Sequence, residues 1–414
     1  MQADLLIHSA AQVITVASPG SPKRGAAMRE LGIIPDGAIA VRDGRILDVG
    51  PSAELRSQVR AAKSLSAGGH LILPGFVDPH THLVWAGERS AEFEMRVGGA
   101  TYMEIMAAGG GIMNTVRQTR AASLDELVRQ TRQRLERMLA HGTTTVEIKS
   151  GYGLNTRQEL KQLAAIRRLQ VESPATLVAT FLGAHAIPAE YRGREDAYVD
   201  LVVDEMLPAV AALARPPAFC DVFCEDGAFT LDQSRRILEA ARSHGFGLKI
   251  HVDEFQALGG TSLAVELGAT SADHLVCTPE EEVERLARSD TIAVALPGTP
   301  FGLGHHDYTP ARAVIDAGGA LALATDCNPG TSWCENMQFM IALACRYMKL
   351  SPAEAISAAT INAAHALGLG DEVGSLEPGK RADLSLYKVP SHQHLGYRFG
   401  TNMAEAVMAG GQML

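Results

Sequence analysis

No stretch of this 414-residue sequence approaches the roughly 18 consecutive apolar residues that a membrane-crossing helix needs, so no span is expected. The opening MQADLLIHSA has no basic lead into an apolar core, and no secretory signal is expected either. Lys and Arg never gather into a run, and the formal charge is -10, a balance that argues against a nucleic-acid partner. Cysteine is scarce: six residues with no CxxC pair read as reduced thiols of a cytoplasmic protein rather than a disulfide framework. Low-complexity segments and short repeats are absent. Neither GxGxxG nor GxxxxGK[ST] occurs, which counts against a doubly wound sheet with a phosphate-binding loop. What is present is ordinary globular material, 46% hydrophobic and 20% charged. The length suffices for a barrel of about 250 residues with structure to spare.

Two strand-rich ends flank a long alternating middle. In the first part, DLLIHSA, QVITVA and GAIAVRDGRILDVG mix apolar and β-branched residues, the last as a hairpin turning at Asp43–Gly44. Near the far end, ADLSLYKV and AEAVMAGG have the same character. The expectation is one small β-sandwich-like domain built from 1–67 and 371–414, because chain ends often lie close together. Between them, 68–370 carries eight apolar β-runs: LILPGFVD, TTTVEIKS, LVATFLGAH, FCDVFCE, GLKIHVDE, ATSADHL, IAVALP and LALATD. Eight βα units in series predict an α/β fold, a (β/α)₈ TIM barrel. Ser123, Thr156, Thr230, Thr278 and Ser351 each have Glu or Gln three residues later, the capping-box spacing at a helix start.

The chemistry-bearing residues fall at the ends of these runs. His80 and His82, two apart in an extended segment, point the same way and can face one cation. His251 ends the fifth run and Asp326 the eighth, on the face where barrel enzymes place their sites. Three neutral imidazoles and a carboxylate suit Zn²⁺ or Fe²⁺ with room left for a water. Glu254, His274 and His185 sit beside these ligands as candidate acids and bases. Lys149 and Glu225 end the second and fourth runs, and spacing alone leaves them open as ligands of a second metal. Arg89, seven residues after His82, is a candidate clamp for a carboxylate. Tyr102 and Tyr152 add hydroxyls and flat faces near the same loops, and Asn328, Gly330 and Thr331 follow Asp326 directly. Together they suit a small, polar, anionic substrate.

Several of these segments carry a resemblance. PGFVDPHTHLVWAGER (74–89), EIKSGYGL (147–154), FLGAHAIP (181–188), KIHVDEF (249–255), SADH (271–274) and ATDCNPGTS (324–332) together resemble the imidazolonepropionases of the amidohydrolase superfamily. The resemblance spans essentially the whole chain. It implies one zinc or iron ion (Zn²⁺ or Fe²⁺/Fe³⁺) per chain on His80, His82, His251 and Asp326, with no carboxylated-lysine bridge to a second metal. It also implies opening of the ring amide of imidazolone propionate to N-formimidoyl-L-glutamate, in histidine degradation. By resemblance Arg89, Tyr152 and His185 contact the substrate, Glu254 lies near its ring, and Asn328, Gly330 and Thr331 grip it from the opposite loops. In that scheme His274 and Asp326 accept the water's proton, His185 helps the metal stabilise the oxyanion, and Glu254 protonates the departing nitrogen. His305–His306 departs from the expected pattern and reads as a solvent-exposed pair. A homodimer is expected from the family and from the commonness of cyclic dimers. The alternatives are another cyclic amidohydrolase or aromatic deaminase with the same metal logic, or a barrel used only for binding.

Overall fold

The computed structural model describes residues 1–18, 20–100, 104 and 109–414. Eight parallel strands follow one another around a sheet in chain order: Phe76–Asp78, Thr143–Lys149, Thr176–Ala184, Phe219–Cys224, Gly247–Val252, Ser271–His274, Ile292–Ala295 and Leu321–Leu323. We refer to them as the first to eighth barrel strands. Both faces of each strand are covered, by helices outside and by side chains within, which is why they read as near-continuous apolar runs. Between the eighth and first strands the seam closes just beyond the strand ends. Asp326 N–H donates to His80 C=O at 3.1 Å and His82 N–H to Cys327 C=O at 3.0 Å. Beside them, the Asp78 carboxylate accepts both the backbone N–H and the hydroxyl of Thr325.

One expected run divides. Leu71–Pro74, the front half of LILPGFVD, is not in the barrel: it pairs with Gln2–Ile14 and Leu384–Tyr387 in the other sheet. Only Phe76–Asp78 continues into the barrel. Gly75 marks the crossing, where a Cβ would run into the Thr144 side chain.

The chain ends form one mixed sheet of eight strands. Gln2–Ile14 lies at its centre, antiparallel to Ile33–Arg42 along one edge. Its other edge is parallel first to Arg60–Ser66 and then to Leu71–Pro74. Leu384–Tyr387 and Ala404–Ala409 extend the sheet as an antiparallel pair. Period-two alternation divides its residues between two layers: Ile7, Val13, Ile39 and Val41 in one, Leu6, Ala38 and Ala40 in the other, where Leu55 of helix Ser52–Gln58 packs on them. Asp43 and Gly44 both take positive φ, 52° and 72°, as the tight turn of the Ile33–Arg42 to Arg45–Pro51 hairpin requires.

The helix starts follow the capping rule in three of five places. Ser123, Thr230 and Ser351 each accept the N–H three residues on, and the latter two form reciprocal capping boxes. At Thr156 the cap is instead Asn155, one residue earlier, whose side chain accepts Gln158 N–H. Glu159 is thereby released to accept the N–H groups of Gly151, Gly153 and Leu154. At Thr278 the helix begins only at Glu280, because the Thr278 hydroxyl is committed to the buried Asp253 carboxylate at 2.8 Å. Helix Leu124–Ala140 shows how the outer layer is held. Leu127, Val128, Thr131, Leu135, Met138 and Leu139 form its buried stripe at helical spacing.

Candidate metal centre and substrate pocket

Strand ends deliver the candidate ligands to one point. His80 Nε2 lies 3.3 Å from His82 Nε2, and His251 Nε2 lies 3.4 Å from His82 Nε2. Asp326 Oδ1 stands 3.6 Å from His80 Nε2 and 3.4 Å from His82 Nε2. A tetrahedral ion with bonds of about 2.0–2.1 Å has donor-to-donor edges of roughly 3.3–3.4 Å, so these four contacts are close to the edges of a coordination shell. The chemistry agrees. Asp326 Oδ1 is buried with no hydrogen-bond partner among the described residues, as expected of an oxygen kept for a cation.

The imidazoles are aimed by their neighbours. His80 Nδ1 meets Asp273 Oδ2 at 2.6 Å and His251 Nδ1 meets Asp221 Oδ1 at 3.0 Å. Each carboxylate thus accepts a hydrogen bond from Nδ1–H, which leaves the Nε2 lone pair facing inward. Burial pulls His80 far below the ordinary histidine value, reinforced by Lys149, His251 and His82. His82 is lowered in the same way, by burial and then by His251 and Lys149. Its Nδ1 has no partner among the described residues; its ring stacks on His185, with centroids 4.8 Å apart and planes at 18°. Asp326 Oδ2 accepts the Thr299 hydroxyl at 2.5 Å.

The loops after the strands are strained where they carry these groups. Asp253, His274 and Asp326 all take positive φ (55°, 79° and 52°), a region that costs non-glycine residues about 1–3 kcal/mol. Each is pinned by its neighbours. The Asp253 carboxylate accepts the Thr261 and Thr278 hydroxyls, His274 C=O accepts the Thr309 hydroxyl, and the Asp326 backbone sits in the barrel seam.

His274 forms a second close triangle with His80 and Asp326, their ligand atoms within 4.8 Å of one another. Its Nε2 is 3.7 Å from Glu254 Oε2. Burial brings His274 down to about 3 and pushes the Glu254 carboxyl well up, the latter helped by Asp326 and Glu225. A cavity of about 630 Å³ opens above the centre, bounded by His82, Arg89, Tyr152, His185, Glu254, His274, Asp326, Asn328, Gly330 and Thr331. Arg89 is the only Lys or Arg among its described lining residues. Its Nε and Nη2 both lie 2.8 Å from Glu92 Oε2, so its free donors are at the Nη1 end. A Cβ at Gly330 would collide with Nη1, so glycine is what lets the guanidinium lie against that loop.

Asn328 is committed locally. Its oxygen accepts Gly330 and Thr331 N–H, and its amide donates to Asp326 C=O and Thr331 Oγ1. It shapes the loop that bears Gly330 and Thr331. Lys149 and Glu225 stand outside the ligand cluster. The Lys149 ammonium is bound by Glu147 and Asp221, each at 2.7 Å, and Glu225 accepts the N–H groups of Phe255 and Gln256 beside Glu254. His305 and His306 are exposed, with the His305 ring 6.4 Å from that of Phe255, another lining residue. Tyr102 lies outside the described residues. Sequence reasoning missed Asp221, Asp273, Thr299 and Glu92. Asp221 and Asp273 did leave a signal, being charged residues inside otherwise apolar strand runs; Thr299 and Glu92 left none.

Comparison with known proteins bears on this geometry. The amidohydrolase family model matches residues 71–414, and one for a bacterial imidazolonepropionase-like composite domain matches residues 37–58. An imidazolonepropionase of Herpetosiphon aurantiacus is 56% identical over 100% of this chain and 97% of its own length. The chain belongs to the imidazolonepropionase family of amidohydrolases. A second member, from Symbiobacterium thermophilum, is 51% identical over 99% of this chain and 97% of its own. Among solved structures, a zinc-bound adenosine deaminase from Xanthomonas campestris superposes with a TM-score of 0.73 at 20% identity, covering 100% of this chain and 93% of that one. Guanine deaminase of E. coli gives 0.73 at 16%, covering 99% and 98%. At these identities the two structures share the fold alone, the barrel with its appended sheet. No described helix is long and apolar enough to cross a membrane.

Proposed function

We propose that this imidazolonepropionase-family chain hydrolyses the ring amide C–N bond of 4-imidazolone-5-propanoate to give N-formimidoyl-L-glutamate. The observation that carries this reading is one cavity lined by His82, His251, His274 and Asp326, with Arg89 as the one guanidinium among its described lining residues. That arrangement matches a small ring amide bearing a carboxylate arm. His80, His82, His251 and Asp326 hold one zinc or iron ion. When bound, the ion supplies Lewis acidity for activating water and polarising a carbonyl. His274, neutral and beside Asp326, takes up the proton released in the attack. Glu254, held protonated by its burial, passes its proton to the departing ring nitrogen and recovers it through the neighbouring His274.

His185 has a different task from the oxyanion role first expected of it. Its Nδ1 meets Gly151 C=O at 3.0 Å, and burial, with His82 and His251, keeps it neutral. The remaining Nε2 is a lone pair, suited to accept a substrate N–H rather than to steady a negative oxygen. Arg89 receives the propionate through its Nη1 end, with Tyr152 closing the same side and Thr331 and Gly330 the other. The test is an assay for formimidoylglutamate from freshly generated imidazolone propionate, with metal analysis of the same sample. Turnover of that substrate above a panel of cyclic ureides and aminated heterocycles, with close to one transition metal per chain, is the expected result. Preference for an uncharged ring, or two stoichiometric metals both needed for turnover, would overturn the reading.

A further inference from the structure

Beneath the metal centre lies a group that the chemistry above does not use. Lys149, fully buried inside the barrel, donates to Glu147 Oε1 and Asp221 Oδ2, each at 2.7 Å. Both partners continue to the ligand set. Asp221 Oδ1 holds Nδ1 of His251 on the fifth strand. Glu147 Oε2 accepts Thr81 N–H at 3.1 Å, and the Glu147 backbone C=O accepts the Thr81 hydroxyl. Thr81 is the residue between His80 and His82, and its own C=O accepts Lys149 N–H at 2.9 Å. Backbone and side chain of one lysine therefore join the His-x-His segment to His251 through two carboxylates.

We infer that Lys149 is a positioning residue for metal binding, an ammonium hub that fixes the His80–His82 segment and His251 in one register. The inference rests on the metal reading proposed above. Asp273 shows the contrast: it holds His80 Nδ1 directly, and its nearest lysine, Lys249, is 3.8 Å away with Nζ donating to Ser271 instead. Without Lys149, Asp221 loses the ammonium held by its Oδ2, and the His251 ring on its Oδ1 is freer to turn about its Cβ–Cγ bond. Loss of a group that orients a metal ligand typically lowers metal affinity by about 10–100-fold.

A Lys149→Met chain retains two buried carboxylates with no counter-charge and is prone to misfold for that reason alone. The informative variant is therefore Lys149→Met with Glu147→Gln, which removes one charge of each sign and leaves a side-chain oxygen to accept Thr81 N–H. The controls are the parent and Glu147→Gln alone. Zinc affinity is read by chelator competition, and the His251 tautomer by the ¹⁵N signature of histidine-labelled protein. We expect the paired variant to unfold cooperatively like the parent and to bind zinc about 10–100-fold more weakly. The Nδ1-protonated signature of His251 should be lost in it, and Glu147→Gln should stay within about threefold of the parent. Zinc affinity of the paired variant within about threefold of the parent would overturn the hub. So would failure of that variant to fold, which would make Lys149 a requirement of the core. A parent that holds no stoichiometric metal fails at a different point, because the metal reading then falls first and takes the hub with it.

Discussion

Replacing Arg89 by Met tests whether substrate charge is what the pocket selects. Two of the donors of Arg89 are taken by Glu92, so the propionate meets the Nη1 end, where charge-assisted hydrogen bonds are available. Removing a hydrogen bond to a charged group costs about 1.5–3 kcal/mol, or roughly 10- to 150-fold in kcat/KM. The substitution should not unsettle the loop. Glu92 keeps Gly111 N–H on one oxygen and the Asn114 amide on the other, so neither oxygen is orphaned. The assay is steady-state hydrolysis of imidazolone propionate beside an analogue with an uncharged side chain. We expect kcat/KM for the charged substrate to fall at least about tenfold at unchanged metal content. The analogue should be poor for the parent and little worse for the variant. An equal penalty on both substrates would refute the reasoning and make Arg89 a brace between Glu92 and the Gly330 loop.

Asp326→Asn should keep the fold and lose more than about 100-fold in activity, because a carboxamide is a poor ligand and cannot take a proton; activity within threefold of the parent would remove Asp326 from the site. Glu254→Gln should lower kcat by about 10²–10⁴ while retaining the metal, and metal loss comparable to that of a His251 substitution would place Glu254 among the ligands instead. Ser351→Ala removes one half of a capping box at the start of helix Pro352–Ala358. It should cost about 0.5–2 kcal/mol in urea unfolding with kcat untouched, and no measurable cost would show that Arg29 and Arg312 hold Glu354 unaided.

Much of the site was legible because barrel strands end where chemistry begins. His80, His82, His251 and Asp326 each follow an apolar run, and the structure brings all four to the same point. What the sequence concealed lies between neighbouring strands. Nothing local announces that Asp221 serves His251 or that Glu147 serves Thr81, since those pairings exist only after consecutive strands have taken their register side by side. Lys149 shows the same limit from the other side. At a strand end it read as a metal-bridge candidate, whereas its carboxylate partners hold it as a buried cation. Burial works against that charge, but Asp221, Glu147 and Asp273 outweigh it and raise the ammonium above an ordinary lysine. The capping rule erred at Thr156 and Thr278 for a comparable reason: a neighbouring Asn and a buried Asp competed for the same hydrogen bonds.

The barrel seam has a consequence for the order of assembly. Asp78 and Thr325, which lock it, are 247 residues apart, and all the other barrel strands lie between them. The His80–His82 segment and Asp326 straddle that same junction. A chain still emerging from the ribosome, or one misfolded before its eighth strand docks, has the histidines but not the carboxylate that completes their set. On the proposed four-ligand reading, tight ion capture is then reserved for molecules that have closed, and metal occupancy in a purified sample should double as a count of correctly finished barrels.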